Sequence, residues 1–306
     1  MIGVVIILAL VQGLTEFLPV SSSGHLVLLN KFFGIENDFL LLSVILHVAT
    51  LFSVVWVLRR EVWEVARRPF GEMGRKLIFA SVPTVLIVLL FKGFIDKSFD
   101  GGLLPFCFMF TAVLIVVSEV LNRNALGQKT KKNKKINVKN CQYLSKNSGN
   151  LGKDDENCNI KDCNDLSNNK NVAVVCDCEK KGKITKKTAI FMGVAQGIAT
   201  LPGISRSGST ICAGLTLGKS RKEVAHFSFL MSIPIILASL VFEVYEYVSS
   251  GQALTLSWIE LAVGFVVALI TGIFAVKFML RVIEKHSLIP FAVYLAVISV
   301  ASFFVI

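Results

Sequence analysis

The feature that most restricts the fold of this chain is a series of apolar segments, each about as long as a membrane-spanning helix. Such a helix needs about 20 consecutive apolar residues. The chain is 54% hydrophobic and only 17% charged, whereas a soluble domain has about 25% charged residues. The sequence therefore predicts an all-α, multi-pass integral membrane protein. The six predicted transmembrane spans are 39–58, 77–95, 103–121, 225–248, 258–280 and 287–306.

Positive charge is concentrated in one stretch of the chain. The whole sequence has a formal net charge of +11, and residues 123–187 supply +9 of it with 16 basic and 7 acidic side chains. The remainder is nearly neutral and apolar, which excludes a uniformly basic nucleic-acid-binding protein. We therefore expect the lipid bilayer, and no nucleic acid, as a partner of this chain.

The distribution of Lys and Arg predicts how the spans cross the membrane, because cytoplasmic loops carry an excess of both residue types. The connection 59–76 has six of these residues and 122–187 has the most, so both are predicted to be cytoplasmic. The connections 96–102 and 249–257 have one and none, so they are predicted to lie outside. Every span then crosses once, which describes a single polytopic domain in the plasma membrane.

The cytoplasmic stretch 122–187 is rich in Lys, Asn, Asp and Ser and has few aromatic residues. Such a composition cannot bury a core, so we expect the stretch to be largely disordered. Its Lys-rich part, 129–139, is expected to rest on anionic lipid headgroups. Four of its cysteines are poorly spaced for zinc, and reduced thiols are expected instead. These are Cys158, Cys163, Cys176 and Cys178.

Two further apolar stretches, 1–30 and 188–218, are each too short for two crossings and are interrupted by Gly, Ser and Pro. They match each other, so the chain is predicted to be an internal duplication. Repeat one is 1–121 and repeat two is 188–306. The matched residues are Gln12 and Gly13 with Gln196 and Gly197, and Ser21, Ser23 and Gly24 with Ser205, Ser207 and Gly208, all 184 residues apart.

The predicted topology gives the two stretches opposite directions. By the charge rule, 188–218 starts and ends at the cytoplasmic side, whereas 1–30 ends outside. Each is therefore expected to dip into the membrane and return on its own side. Two copies inserted in opposite senses form an inverted-topology repeat, whose hairpin tips meet near the middle of the bilayer. The predicted fold is six transmembrane helices plus two re-entrant helical hairpins.

The two hairpins contain three ionisable side chains, Glu16 and His25 in the first and Arg206 in the second. A charge in the middle of a bilayer costs on the order of 3 kcal/mol, so its presence needs an explanation. One explanation is a structural ion pair between Glu16 and Arg206. The other is a functional site, which is favoured by a surplus of nearby hydroxyl and amide groups. These belong to Gln12, Ser21, Ser22, Ser23, Gln196, Ser205, Ser207, Ser209 and Thr210.

The run 202–210 has the composition of an anion-binding loop. Its glycines let backbone N–H groups approach a ligand, a helix restarting after it directs its positive end there, and the Arg206 guanidinium matches two phosphate oxygens. The opposing run 16–25 adds a carboxylate, three hydroxyls and an imidazole, which suits phosphoryl transfer. A carboxylate with a pyrophosphate would also hold a divalent cation. His47 and His226 have no polar neighbours in the sequence, and we interpret them as structural.

Two long motifs carry a resemblance to a known family. Residues 12–25, QGLTEFLPVSSSGH, resemble the first signature of the undecaprenyl-pyrophosphate phosphatase family associated with bacitracin resistance, and residues 202–210, PGISRSGST, resemble the second. The resemblance implies a membrane enzyme that removes the terminal phosphate of a polyprenyl pyrophosphate and so recycles a glycan carrier lipid. It also implies a divalent cation, Mg²⁺ or Ca²⁺, and a site that opens at the outer face.

The resemblance assigns roles residue by residue. It implies Glu16, Ser22, His25 and Arg206 as catalytic residues, with Glu16 also as the cation ligand. The choice between Ser22 and His25 as the nucleophile stays open. Gln12 stands where the family has Glu or Gln, so Glu16 carries the carboxylate role alone. The predicted substrate-binding residues are Gln12, Ser21, Ser23, Gly203, Ser205, Ser207, Gly208 and Thr210.

A protein of another class is an alternative, because inverted repeats with broken helices at the membrane centre are also found in transporters. An anion transporter or a polyprenyl-phosphate flippase would use Arg206 and the hydroxyls for binding alone. A Glu–Ser–His group opposite the Arg has less use in such a site, which favours the phosphatase. The sequence leaves the isoprenoid length and the oligomeric state open, with a homodimer as one option.

Overall fold

The computed structural model describes residues 2–34, 39–133, 183–250 and 256–305. All regular elements within these ranges are α-helices, which confirms the predicted all-α class. The helices are α1 (Ile2–Thr15), α2 (Ser22–Phe33), α3 (Phe39–Val57), α4 (Arg59–Arg67), α5 (Glu72–Ser98), α6 (Leu104–Asn133), α7 (Lys186–Ile198), α8 (Arg206–Thr216), α9 (Arg221–Ser250), α10 (Trp258–Lys285) and α11 (Ile289–Ser302).

Within the described ranges, four helices are by themselves long and apolar enough to cross a membrane. They contain the predicted spans 77–95, 103–121, 225–248 and 258–280. Their outward surfaces carry large exposed apolar side chains, which suit contact with acyl chains rather than water. The chain is therefore a membrane protein. The apolar stretches are Glu72–Ile95 of α5, Leu104–Asn122 of α6, Arg221–Ser249 of α9 and Trp258–Lys285 of α10.

The two other predicted spans differ from the prediction. Segment 39–58 forms α3, which qualifies as a span only together with α4, and the two helices are bent by 86° at Leu58. Segment 287–306 forms α11, whose 14 residues extend about 21 Å, less than the roughly 30 Å of a hydrocarbon core. Pro290 in the first turn of α11 favours the start of the helix there, and the chain turns after Ser302.

The basic stretch 122–187 was predicted to be largely disordered, and the structure describes helix at its two ends. α6 continues through it to Asn133, because this part contains Ala, Leu, Gln and Lys, which favour helix. α7 begins at Lys186 after a cap formed by Thr185. The rest of the stretch, with its cysteines and most of segment 129–139, lies outside the described residues.

The segments predicted as repeat one and repeat two pack against each other in a reciprocal way. The first helix of repeat one, α1, lies along α10 of repeat two, and the first helix of repeat two, α7, lies along α5 of repeat one. Both contacts depend on glycine. A methyl group on Gly13 would lie 1.9 Å from Thr271 Oγ1, and one on Gly193 would lie 2.0 Å from the Ala80 carbonyl oxygen. Together with the pairs α3–α9 and α6–α11, these contacts interleave the repeats around a shared interior.

A buried ion pair joins α6, α9 and the connection between α10 and α11. The Glu119 side chain is 1% exposed, and its two oxygens accept from Arg221 Nη2 at 2.7 and 2.9 Å. The same carboxylate accepts the Leu288 N–H at 2.9 Å, and Arg221 also donates to the His286 carbonyl at 2.8 Å. Both partners make several short hydrogen bonds, so this pair has the geometry of a structural link.

Candidate active site

Two short helices, α2 and α8, begin with the same local structure at matched positions 184 residues apart. Ser21 precedes α2, and its Oγ accepts the Gly24 N–H at 3.3 Å. Ser205 precedes α8, and its Oγ accepts the Gly208 N–H at 3.1 Å. Serine is favoured at this capping position because its hydroxyl satisfies an N–H that the first turn leaves free. The residue after each cap therefore begins a helix.

The loops between the paired helices, 16–21 after α1 and 199–205 after α7, contact each other inside the molecule. Ser207 Oγ, just beyond the second loop, donates to the Leu18 carbonyl of the first loop at 2.8 Å. A methyl group on Gly24 would lie 2.9 Å from the Cα of Gly203. We call residues 16–25 and 199–210 the tips of the two helix pairs. The two tips therefore meet, and their close approach requires glycine.

Glu16 is the centre of a group of polar side chains at this meeting point. Its side chain is only 4% exposed. Its Oε2 accepts from Ser22 Oγ at 2.5 Å and from Gln12 Nε2 at 3.0 Å, while its Oε1 lies 3.7 Å from Arg206 Nη1. The structure therefore brings together the carboxylate of repeat one and the guanidinium of repeat two.

The contact between Glu16 and Arg206 differs from the structural ion pair of Glu119 and Arg221. At 3.7 Å it is too long for a hydrogen bond, whereas the other pair has contacts of 2.7 and 2.9 Å. Arg206 Nε and Nη1 are both buried and have no hydrogen-bond partner. Buried polar groups in proteins are nearly always hydrogen-bonded, so these donors indicate a site for an anionic ligand.

Both charged groups border a cavity of about 130 Å³. One part of its wall is polar and comes from the two tips, and another part is apolar. The apolar wall includes Leu26 and Val27 of α2, Ile204 and Ile236. The cavity thus combines a place for a charged group with a surface suited to a hydrocarbon chain. The predicted site residues that line it are Glu16, Ser21, Ser22, Ser23, Ser205 and Arg206.

Two other predicted substrate-binding residues lie on a second, smaller space. Ser207 and Thr210 of α8 line a narrow cleft that also borders Glu16 and Arg206. Thr210 Oγ1 lies 2.6 Å from Ser228 Oγ, so its hydroxyl is already paired within the protein. These two residues adjoin the charged pair without lining the main cavity.

Three further predicted substrate-binding residues serve the framework. The Gly208 N–H is taken by the Ser205 cap, and Gly203 is buried in the contact between the tips. Gln12 is fully buried and holds Glu16 in place through a hydrogen bond. The Gln12 Oε1 has no hydrogen-bond partner, so this oxygen is free to accept another contact.

His25 is not among the residues that line the cavity. Its Nδ1 lies 2.7 Å from the Ser21 carbonyl oxygen, and its Nε2 lies 2.7 Å from Tyr294 Oη. Both ring nitrogens are therefore occupied. Of the two candidate nucleophiles, the structure brings Ser22 to Glu16 and places His25 behind Ser21.

Comparison with known proteins identifies the family of this chain. The sequence profile of the family described as "Bacitracin resistance protein BacA" matches residues 5–144 and 165–301. The chain belongs to the BacA family. It is 35% identical over 297 residues to an undecaprenyl-diphosphatase of Carboxydothermus hydrogenoformans, with 96% of this chain and 94% of that protein covered.

Other relatives show the same near-complete coverage. An undecaprenyl-diphosphatase of Bacteroides fragilis is 31% identical, with 97% of this chain and 95% of that protein covered. A protein named undecaprenyl-diphosphatase 2 from Stutzerimonas stutzeri is 30% identical, with 95% and 93% covered. The similarity therefore extends through both repeats and both tips.

The structure adds His47 to the site of this BacA family protein. His47 Nε2 lies 3.9 Å from Glu16 Oε2, and its Nδ1 lies 2.9 Å from the Ser43 carbonyl and 3.9 Å from Glu243 Oε2. His47, Ser43 and Glu243 all line the cavity. His47 was interpreted as structural, and the structure places it on the cavity beside Glu16. The position of His47 could have signalled the site, because it is an ionisable residue deep in a predicted span.

His226 lies apart from this group, 3.4 Å from Glu61.

The oxygen atoms around Glu16 bear on the divalent cation that the resemblance implies. Within the described ranges, no group of three His, Cys, Asp or Glu side chains is arranged to hold a metal ion. Mg²⁺, however, is commonly bound by one or two carboxylates together with phosphate oxygens of the substrate. Glu16 offers a buried carboxylate and Gln12 a buried, unpartnered amide oxygen. These donors fit a cation that is shared with a pyrophosphate.

Proposed function

We propose that this protein is a membrane phosphatase that hydrolyses an undecaprenyl-type polyprenyl pyrophosphate to the lipid monophosphate and inorganic phosphate, which recycles a glycan carrier lipid. The observation that carries the proposal is the pair of buried, unpartnered Arg206 nitrogens beside the Ser22–Glu16 hydrogen bond on one cavity. The relatives described above are named undecaprenyl-diphosphatases, which supports the substrate class.

Ser22 is the group best placed to attack the terminal phosphorus. Its hydroxyl donates to Glu16 at 2.5 Å, so Glu16 takes the proton while Ser22 Oγ bonds to phosphorus. The anhydride P–O bond breaks, and the lipid monophosphate leaves with that oxygen and its electron pair. Water then attacks the phosphoserine. The Ser22 oxygen leaves and regains its proton from Glu16, and inorganic phosphate departs with the oxygen and both protons of the water.

Arg206 grips the pyrophosphate and stabilises the charge that develops on the transferred group. A guanidinium donates to phosphate oxygens through several N–H groups, and the Nε and Nη1 of Arg206 have no partner within the protein. Arg206 is also the first residue of α8, where the helix dipole favours negative charge. The carboxylate of Glu16 lies within 4 Å of Arg206, which brings the attacking and the stabilising groups to the same phosphate.

Glu16 and the Oε1 of Gln12 would hold a divalent cation, Mg²⁺ or Ca²⁺, together with substrate oxygens. When bound, such a cation would neutralise part of the pyrophosphate charge. Gln12 keeps Glu16 oriented through its amide N–H in either case. The residues of this chain therefore supply the nucleophile, the proton acceptor and the guanidinium themselves.

The proposed membrane arrangement is an inverted-topology repeat. The pairs α1–α2 and α7–α8 form re-entrant hairpins, and the spans are α3, α5, α6, α9, α10 and α11. The reciprocal packing of α1 on α10 and α7 on α5 supports this arrangement. Phe99 lines the cavity and belongs to connection 96–102, so the site opens to the outer face of the plasma membrane. Loop 122–187 then lies in the cytoplasm, and the lipid tail follows the apolar wall.

The transporter alternative finds no support among the relatives described above, since none is named as a transporter. A transporter would also have little use for the short Ser22–Glu16 hydrogen bond.

All groups proposed for the chemistry come from one chain. The proposed reaction therefore does not require the homodimer that the sequence leaves open.

Phosphate release by the purified protein tests the proposal. In detergent, with no second compartment, the wild type should release inorganic phosphate from polyprenyl pyrophosphate. Ser22→Ala should lose activity by about 100-fold or more, because the nucleophile is removed. Ser81→Ala in α5, which does not line the cavity, is the control and should match the wild type. Absence of phosphate release by the wild type, or full activity of Ser22→Ala, would contradict the proposal.

A further inference from the structure

Ser21, the residue before the proposed nucleophile, has an unusual backbone conformation. Its φ is +67° and its ψ is +95°, and in the part of the chain that the structure describes it is the only residue other than glycine with a positive φ. Residues held in such conformations persist only when their surroundings over-determine them, and they cluster at active sites. Because Ser21 immediately precedes Ser22, its conformation decides where the Ser22 hydroxyl points.

His25 is the side chain that holds the Ser21 backbone. The Ser21 carbonyl lies 2.7 Å from His25 Nδ1, and it also accepts the His25 backbone N–H at 3.3 Å. A carbonyl oxygen only accepts, so Nδ1 carries a proton and the Nε2 of the neutral ring carries the lone pair. Nε2 lies 2.7 Å from Tyr294 Oη, so the Tyr294 hydroxyl donates to it.

Aromatic contacts further restrict the His25 ring. The ring stacks on Tyr294 with centroids 5.7 Å apart and planes 4° apart, and Phe108 of α6 contacts it edge-on at 5.4 Å. A histidine that transfers a proton needs a ring nitrogen within reach of the reacting group. In His25 one nitrogen is bound to the backbone and the other to Tyr294. The ring is therefore arranged to hold its neighbours in place.

The second repeat makes its corresponding turn without such a histidine. There the positive φ falls on Gly203 (+89°), and the capping Ser205 has an ordinary φ of −72°. The position related to His25 by the duplication is Ser209, whose buried Oγ has no hydrogen-bond partner. Glycine adopts a positive φ at no steric cost, so this tip needs no side chain to hold its turn. The first tip places a serine in that conformation and has His25 to hold it.

We propose that Tyr294 and His25 are positioning residues of the phosphatase, an inference that rests on the function proposed above. Tyr294, on the last helix of repeat two, fixes the orientation of the His25 ring. His25 holds the strained carbonyl of Ser21, and this sets the Ser22 hydroxyl against Glu16. The last helix thus acts on the nucleophile of repeat one through two hydrogen bonds and without touching the substrate.

Replacement of His25 separates positioning from chemistry. Asn carries an amide N–H on the same atom, Cγ, that carries Nδ1 in His, so His25→Asn can still donate to the Ser21 carbonyl but cannot exchange protons at neutral pH. His25→Asn should keep kcat within about ten-fold of the wild type, because one hydrogen bond to Tyr294 is lost. His25→Ala should lower kcat by about 100-fold or more, because the nucleophile is misplaced. KM should change little in both. If His25→Asn were as inactive as His25→Ala, His25 would take part in the chemistry and the proposal would fall.

Removal of the Tyr294 hydroxyl tests the second hydrogen bond. Tyr294→Phe keeps the stacked ring, and it should lower kcat by about three- to ten-fold with KM unchanged. In the His25→Asn background, Tyr294→Phe should have no further effect on kcat, because the shorter asparagine side chain does not reach Tyr294. The effects of two substitutions that act through the same contact are not additive. Tyr245→Phe, a tyrosine 70% exposed on α9, is the control and should match the wild type. An unchanged kcat in Tyr294→Phe, or additive effects in the double variant, would overturn the proposal.

The wild-type assay distinguishes failure of this inference from failure of the proposed function. If the wild type releases no phosphate from polyprenyl pyrophosphate, the proposed function fails. If the wild type is active and the Tyr294 and His25 variants behave against expectation, only the positioning role fails. Elution volume and thermal midpoint in detergent, measured for every variant, identify any loss of activity that comes from unfolding.

Discussion

The two helix pairs at the centre of the molecule, α1–α2 and α7–α8, share a framework and differ in chemistry. In both, a serine, Ser21 or Ser205, caps the second helix through the N–H three residues on. The next residue is Ser22 in the first pair and Arg206 in the second. The two pairs share the helix start and differ in the side chain that it presents. One tip supplies the attacking and proton-accepting groups, and the other supplies the guanidinium, so the proposed reaction needs both.

The tips also differ in how rigidly each turn is built. The second tip makes its turn with Gly203, which packs closely against its neighbours. The first tip makes its turn with Ser21 and holds it through His25. Strain and side-chain support therefore accumulate on the tip that carries the nucleophile. The following variants remove the chemistry or the framework of one tip at a time.

A large effect on catalysis is expected when the first tip loses its proton acceptor. Glu16→Gln keeps the shape and the contact with Gln12, but an amide does not take the Ser22 proton. We expect kcat to fall by about 100-fold or more, the usual contribution of a general base. Phosphate release in detergent measures it, with Glu64→Gln on the exposed face of α4 as a matched control. A kcat above a tenth of the wild-type value would show that Glu16 is not the proton acceptor.

A smaller effect, on stability, is expected when the second tip loses its glycine. Gly203→Ala combines a positive φ with a Cβ only 2.7 Å from Cys107 Cβ, so it should lower the free energy of unfolding by about 1–3 kcal/mol. Gly218→Ala also has a positive φ, but its Cβ would meet nothing within 4 Å. Thermal midpoints in detergent should therefore fall more for Gly203→Ala than for Gly218→Ala. Equal shifts would show that the close contact of Gly203 with Cys107 of α6 costs nothing.

The smallest effect is expected at the counterpart of His25 in the second tip. Ser209 Oγ is buried without a hydrogen-bond partner, so Ser209→Ala removes an unsatisfied polar group and should leave stability unchanged or slightly higher. Its kcat should equal that of the wild type. A large loss of kcat in Ser209→Ala would show that both tips depend on this position, contrary to the proposed asymmetry.

Much of the fold could be predicted because the hydrocarbon core of a bilayer requires long apolar helices. Apolar length alone indicated the helices α5, α6, α9 and α10, and they form as predicted. The apolar length of segment 287–306 did not reveal that α11 has only 14 residues, because Pro290 and the turn after Ser302 determine where the helix begins and ends. Nor did it reveal the 86° bend after α3. Composition also overstated the extent of the loop 122–187, because its first residues favour helix.

The candidate site was predictable where a single charge stood in an apolar segment. Glu16 and Arg206 could be expected to meet for that reason, and they lie 3.7 Å apart. His47 was interpreted as structural because its polar partners, Glu16 and Glu243, come from distant parts of the chain. Tyr294 gave no signal at all, since a tyrosine in an apolar helix is ordinary. Contacts between the repeats depend on packing that no local pattern encodes.

The central claim, that the two tips join a nucleophile and a guanidinium around one pyrophosphate, is tested most directly by the rate of phosphate release in Arg206→Ala. We expect a fall of about 1,000-fold or more, the effect of removing an arginine that stabilises phosphoryl transfer. Arg60→Ala on the exposed face of α4 should match the wild type. Near-normal turnover by a folded Arg206→Ala protein would contradict the account.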